Sequence, residues 1–263
     1  VTTPLERLLA ATGLKRAARG AADWVDLAYS HIVEQLEAVA PRTHGRLLDV
    51  GCGVKPYEYI FRPYVSEYIG VEYAKTFDAT ANLTQAVKPD VFYDGKTLPF
   101  ESRSFDTVIS ITVLEHTPDP QTVLNEIGRV VKKDGIVVVV APFSFRLHEE
   151  PNDYFRYSPH GLRVMFDTAG LAVDEIWSQG DLWTVLGHKL NSYLAFRIAR
   201  LDALAQMMGK LGHEDARTTS PRLWTFPLVL PAMGLVSGSA RILDRIAPDG
   251  SETLSYQVIG RVK

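Results

Sequence analysis

The sequence predicts an α/β fold: a doubly wound, mostly parallel seven-stranded sheet of Rossmann type, with an α-helical insertion before the last strand. Three observations predict it. Apolar runs of strand length alternate with amphipathic helical stretches, the pattern of parallel strands covered by helices on both faces. The first such run ends in a glycine pair, in the segment Arg46 to Tyr57, RLLDVGCGVKPY. The chain has 263 residues and is 46% hydrophobic, enough for one large domain with an insertion.

Residues 4–20 read as a short amphipathic helix, with Leu5, Leu8 and Leu9 on one face and Lys15, Arg16 and Arg19 among its basic residues. A second helix is expected from Trp24 to Val39, capped by Asp23, so that residues 1–44 form an N-terminal helical segment. Leu47, Leu48 and Val50 mark a buried first strand. Residues 67–72 mark the second, and further strands are expected at Val91–Tyr93, Phe105–Ile111 and Ile136–Val140. Between the last two lies a helix that Asp119 can cap, with Pro120 in its first turn. Its apolar face is Val123, Leu124, Ile127, Val130 and Val131, and Lys132 and Lys133 are expected at its C-terminal end. Asp134 and Gly135 then turn the chain into the next strand. Ser158 and Pro159 start another helix, which Gly170 stops, and strands follow at Leu171–Trp177 and Leu254–Val262.

Residues 181–250 interrupt this pattern, which divides the chain into a cofactor-type domain (45–180 plus 251–263) and an apolar insertion. Leu186, Leu190, Leu194, Ile198, Leu201 and Leu204 suggest one apolar helical face, and His213 to Ser220 a polar loop. Leu223 to Ala240 carries no charge, but Pro227, Pro231, Gly234 and Gly238 argue against a regular spanning helix. A lid or buried hairpin is the expectation there, with a peripheral membrane contact as the other reading.

Composition excludes some classes. Net charge is −3 and no polybasic run appears, so nucleic acid is not an expected partner. Cys52 is the only cysteine, which fits a reducing compartment, and no secretory hydrophobic region is evident, so a cytoplasmic location is expected.

Asp49, Glu72 and Asp94 stand near the ends of three successive strands. Open α/β sheets bind ligands at the carboxyl ends of their strands, which puts all three acids at one crevice. Gly51 to Glu72 is about the twenty-residue spacing of a ribose-gripping acid. A nicotinamide fingerprint needs a glycine where this chain has Pro56.

The stretches LLDVGCG, GVE, DGKTLPFESRSFDTVISITVLEH and EIGRVVKKDGIVVVVAPF, in that order, resemble the class I methyltransferases that use S-adenosylmethionine. The resemblance is greatest to the group acting on small molecules and sugars, and covers residues 45–178. It implies that Asp49, Gly51 and Gly53 line the methionine end of the cofactor. Glu72 would hold the ribose, Tyr73 would lie against the adenine, and Asp94 with Gly95 would meet the adenine amine. Ile111 and Thr112 would sit near the reacting methyl, flanked by Glu115 and His116. Cys52, between the two glycines, is counted with the cofactor turn, though its side chain reads as small and buried. One departure is Lys55, where the family pattern often has a third glycine.

Methyl transfer to a hydroxyl needs alignment and a base. The loop Pro142 to Tyr157 leaves a strand end beside the crevice. It offers His148 as first candidate for the base, with His116 and then Asp153 behind it. Glu149, Arg156 and Tyr157 are candidates for acceptor binding together with Glu115. His148, Glu149 and Asp153 are a conceivable metal set, but no firm ligand spacing marks a metal site and none is expected. The expected activity is methyl transfer to a sugar, glycolipid or natural-product hydroxyl. A non-catalytic cofactor-binding module and an enzyme for lipid-linked or quinone-like acceptors are the alternatives.

Overall fold

The computed structural model describes residues 25–74, 88–200 and 222–263. The helix expected at 4–20, Asp23, Leu201, Leu204 and the polar loop His213 to Ser220 lie outside them. Seven strands form one sheet: β1 (Arg46–Val50), β2 (Glu67–Tyr73), β3 (Val91–Tyr93), β4 (Phe105–Ile111), β5 (Val131–Pro142), β6 (Leu171–Ser178) and β7 (Ser255–Val262). Their order is β3-β2-β1-β4-β5-β7-β6, and β7 runs antiparallel to the other six. The order reverses between β1 and β4, so the crevice of a doubly wound sheet opens where those two strands end.

Leu47, Leu48, Val108, Ile109 and Val137 to Val140 are buried on both faces of the sheet, which explains their unbroken apolar runs. Four helices cover these faces: α1 (Leu27–Val39), α2 (Glu58–Phe61), α3 (Pro120–Val130) and α4 (Pro159–Thr168). The cap of α1 is Asp26, which accepts from the Tyr29 N–H at 3.1 Å. Asp119 caps α3 and Ser158 caps α4, as their sequences predict.

The end of α3 differs from expectation. The helix stops at Val130 because Val131 is fully buried opposite Phe105 as the first residue of β5. Lys132 therefore lies in the strand, where its Nζ meets Asp106 Oδ1 at 2.7 Å. The turn expected at Asp134–Gly135 is a bulge: Phe105 opposes Val131, while Thr107 already opposes Ile136.

The insertion also differs. Its described residues form α5 (Leu182–Tyr193), a π-helical turn (Leu194–Ala199) and α6 (Phe226–Ile246), the last preceded by a 3₁₀ turn at Leu223–Thr225. The prolines do not break α6 into a hairpin. Pro227 falls in the first turn, where a missing N–H loses nothing, and Pro231 removes one bond of a 21-residue helix. The expected leucine face of α5 points outward, with Leu186 49% and Leu190 47% exposed. Its buried face is Thr184, Val185, Gly187, His188 and Asn191. Gly187 sets that choice: a Cβ there would lie 2.9 Å from Leu27 Cδ1 and 3.0 Å from Ala240 Cβ, so only a bare backbone fits between α1 and α6. Asn191 Nδ2 donates to Ser237 Oγ at 2.8 Å and Thr184 Oγ1 to Asp244 Oδ2 at 2.5 Å, which pairs these donors along the seam, while Asn191 Oδ1 is buried without a partner.

Candidate active site

The turn after β1 is pinned to β2. The N–H groups of Gly51 and Cys52 both donate to Val71 O, at 2.9 and 3.2 Å. Gly51 stands at φ 75°, and a Cβ there would lie 2.4 Å from Val113 Cγ2, so glycine is required. Across the turn, Glu72 accepts from the Gly53 N–H at 2.7 Å and the Tyr73 N–H at 2.8 Å. Burial pushes the Glu72 carboxyl up, the two N–H groups pull it down, and Glu149 nearby raises it again. The space above Gly53 is open, with nothing within 4 Å of an added Cβ. An acid with spare lone pairs beside an open glycine turn fits a ligand that carries paired hydroxyls.

Lys55 resolves the departure from the family pattern. It takes φ 54°, the left-handed conformation that a glycine adopts without strain. Its Nζ meets Asp90 Oδ2 at 2.5 Å, and the same oxygen accepts from the Gly70 N–H at 2.7 Å. The lysine thus tethers the turn to the start of β3, a role that spacing alone does not reveal.

Three of the expected cofactor residues sit behind the crevice surface. Asp49 is buried and accepts from Tyr68 Oη at 2.6 Å; burial pushes its carboxyl up to about 7. The Cys52 thiol is buried against Gly70, and burial drives it far above the ordinary thiol range, so Cys52 offers the turn only its backbone. The Ile111 side chain lies in the core formed with α1. Asp94 is exposed, and its Oδ1 accepts from the N–H groups of Lys96 and Thr97 at 2.8 and 2.9 Å, which shapes the turn at Gly95. The Tyr73 ring packs over Gly95 and lies edge-on to Tyr93, with centroids 6.4 Å apart. Thr112, the residue after β4, stands at φ 54°, its N–H on Val140 O at 2.9 Å. A non-glycine residue in that conformation is strained, and such strain gathers at functional sites.

The segment Leu114–His116 and the loop after β5 are stapled together. Tyr154 N–H donates to Glu115 O at 2.8 Å, and Tyr157 Oη donates to Leu114 O at 2.7 Å. Tyr157, read as an acceptor contact, is therefore a buried strut. Arg156 grips Asp153 with both terminal nitrogens, at 2.6 and 2.8 Å, and also reaches the carbonyls of Phe145 and Arg146. The Asp153 N–H···O bond from His148 is 2.9 Å long. Burial alone would raise the Asp153 carboxyl, but Arg156 and the His148 contacts outweigh it and hold it down to about 2. An acid so held cannot serve as a base near neutrality, and Arg156 is not free to grip an acceptor.

That clasp orients two imidazoles. His148 Nδ1 faces Arg146 O at 3.2 Å and Asp153 Oδ2 at 3.3 Å. His116 Nδ1 faces Asn152 O at 2.8 Å. A carbonyl only accepts, so each Nδ1 carries the hydrogen and each Nε2 the lone pair. The rings meet edge to face, with centroids 4.7 Å apart. His116 Nε2 lies 3.8 Å from Glu115 Oε1 and 3.9 Å from Glu149 Oε2. Burial lowers the His148 pKa, and the neighbouring His116 lowers it further. Glu115 is fully buried, which pushes its carboxyl up to about 8. Sequence spacing could not show that Glu115, His116 and His148 meet, because the loop path alone joins them. Nor did it show Phe145, whose ring packs 5.0 Å from His148 and 4.7 Å from His188 of α5, connecting this cluster to the insertion.

Residues 48–139 match a family model described as a methyltransferase domain. Residues 48–139, which include the glycine turn and Glu72, are thus similar to the class I methyltransferase domains that use S-adenosylmethionine. An uncharacterized methyltransferase, YcgJ, of Bacillus subtilis is 33% identical over 104 residues, 38% of this chain and 41% of that protein. A ubiquinone biosynthesis O-methyltransferase of Paracidovorax citrulli is 34% identical over 108 residues, 39% of this chain and 45% of that one. The match thus spans less than half the length of either relative. Among solved structures, a putative sarcosine dimethylglycine methyltransferase from Galdieria sulphuraria is similar in fold, with TM-score 0.50 and 18% identity over 88% of this chain and 84% of that one.

Proposed function

We propose that the protein transfers a methyl group from S-adenosylmethionine to a hydroxyl of a small polar acceptor, such as a sugar, glycolipid or natural product. The observation that supports this most is the pair of lone-pair Nε2 atoms on His116 and His148, oriented beside the crevice by carbonyls and by Asp153. S-adenosylmethionine supplies a methyl group already activated on sulfur. The chain's part is alignment and proton removal. As the acceptor oxygen bonds the methyl carbon, the carbon–sulfur bond breaks with its electron pair kept on sulfur. The hydroxyl proton passes to an imidazole, His148 first and His116 second, and on to water. Glu72 and the glycine turn hold the ribose end, and the Asp153–Arg156 clasp keeps His148 in place. Methyl release from S-adenosylmethionine to a panel of hydroxyl acceptors tests this. Tight binding of S-adenosylhomocysteine without turnover on any of them would favour a non-catalytic cofactor-binding module instead.

A second feature favours an acceptor presented at a lipid surface. The insertion buries the small and polar residues Gly187, Asn191 and Ser237 beside Val185, Val229 and Met233, and leaves many of its larger apolar residues exposed. Trp224, Leu228, Leu235, Ile242 and Ile246 form one exposed stripe at helical spacing. By length and composition, Leu223–Ile246 could cross a membrane. Lys189, Arg197 and Arg245 are exposed on the same helices, in a chain of net charge −3. Apolar residues beside cations suit the face of an anionic bilayer, with the protein held peripherally. The Phe145–His188 contact would then couple that face to the acceptor loop.

A further inference from the structure

We infer that Glu115, His116 and His148 form a binding site for a divalent transition-metal ion, which holds the acceptor hydroxyl next to the methyl donor. One ligand atom from each of the three residues lies within 4.8 Å of the other two. Two imidazoles and a carboxylate suit zinc, manganese, cobalt or iron(II), and leave coordination positions open to a substrate oxygen.

Glu115 is the independent sign that something belongs there. Its side chain is 1% exposed, and neither carboxylate oxygen has a hydrogen-bond partner. A buried carboxyl with no partner is costly to keep, and native proteins keep few of them. A cation between Glu115 and the two imidazoles would satisfy it.

The surroundings fit this as well. Metal-bound histidines turn their other nitrogen to a carbonyl or carboxylate, which fixes the tautomer and the ring. Both histidines do so here. His116 Nδ1 faces Asn152 O, and His148 Nδ1 faces Arg146 O and Asp153. The Asp153–Arg156 clasp then has a purpose beyond holding a loop, since it orients a ligand from behind. Bonds of about 2.0–2.2 Å put neighbouring ligand atoms roughly 3 Å apart, so the 3.8 Å between His116 Nε2 and Glu115 Oε1 closes with a small side-chain turn. Glu149, 3.9 Å from the same nitrogen, is an exposed carboxylate able to take the acceptor's proton.

The metal's role rests on the methyl-transfer reading, but its binding does not. In that role the ion polarises the acceptor hydroxyl without changing oxidation state. With the ion bound the imidazoles serve as ligands instead of as the base, and the proton that an imidazole takes in the ion's absence leaves to Glu149 and then to water.

Protein stripped with a chelator and titrated with cobalt(II), followed by its visible absorption and by calorimetry, tests the site. We expect one ion per chain and a visible spectrum that reports nitrogen ligands. Glu115→Gln and His148→Asn should each lower affinity at least tenfold, and Asp153→Asn by about 10–100-fold through the orientation of His148. Glu115→Gln keeps the side chain's shape without its charge, so its melting temperature shows whether it folds. S-adenosylhomocysteine affinity should stay unchanged in all three variants. Absence of stoichiometric cobalt binding, or binding indifferent to both Glu115→Gln and His148→Asn, overturns the inference. Cobalt binding in a protein that does not bind S-adenosylhomocysteine would uphold the metal site and refute the methyl-transfer reading.

Discussion

Glu72 Oε2 accepts a 2.7 Å hydrogen bond from the Gly53 N–H, which joins the end of β2 to the turn after β1 as one wall. Each oxygen of Glu72 takes one backbone N–H and keeps a further lone pair for a ligand. Glu72→Ala should therefore weaken S-adenosylhomocysteine binding by about 1–3 kcal/mol. Calorimetry on the folded variant is the check, and unchanged affinity would remove Glu72 from the ribose role.

His148→Ala should lower turnover by about 10²–10⁴-fold, whether the imidazole takes the proton or holds an ion that polarises the acceptor. Cofactor affinity should barely move, since His148 stands on the loop after β5 and takes no part in the contact between Glu72 and the glycine turn. A drop in His116→Ala with none in His148→Ala would exchange the two roles.

Asp49 gives a pH dependence with a definite sign. Burial raises its carboxyl to about 7, above its ordinary value of 3.8. Between those values the folded state holds a proton that the unfolded state has lost. Stability from this group is thus complete below about pH 4 and falls as pH rises toward 7. Asp49→Asn keeps an acceptor for Tyr68 Oη and removes the titration. Its melting temperature should exceed that of the parent at pH 8, with the gap closing near pH 4. A gap of the same size at both pH values would show that Asp49 does not titrate this way.

Gly187 is where α5 meets α1 and α6. Gly187→Val should destabilise the protein by about 1–3 kcal/mol, because its Cβ alone would stand 2.9 Å from Leu27 Cδ1. Urea unfolding measures this directly. Ordinary stability would mean that the insertion sits less tightly on α1 than the packing shows.

Leu228→Asp puts a charge in the middle of the exposed stripe and touches no core residue, since Leu228 is 76% exposed. The variant should keep its melting temperature and its activity on a soluble acceptor. It should also lose co-sedimentation with vesicles containing phosphatidylserine. If parent and variant both stay in the supernatant, the bilayer reading falls, and the stripe faces another surface.

The sequence by itself determined the sheet and the place of the crevice. Those depend on local patterns: the short apolar runs within β1, β4 and β5, the caps Asp119 and Ser158, and the glycine turn after β1. Each is readable because neighbouring residues fix backbone geometry and strand burial together. Only the tertiary structure decided the rest. Which histidine nitrogen is free follows from carbonyls of Arg146 and Asn152, and the loop path brings His148 to Glu115. Lys55 could stand for a glycine because Asp90 was there to hold it. The leucines of α5 read as a core face, yet Gly187 and Asn191 were buried in their place. A helix turns inward the side its neighbours can approach most closely and satisfy with hydrogen bonds, and that is a property of the contact rather than of the helix.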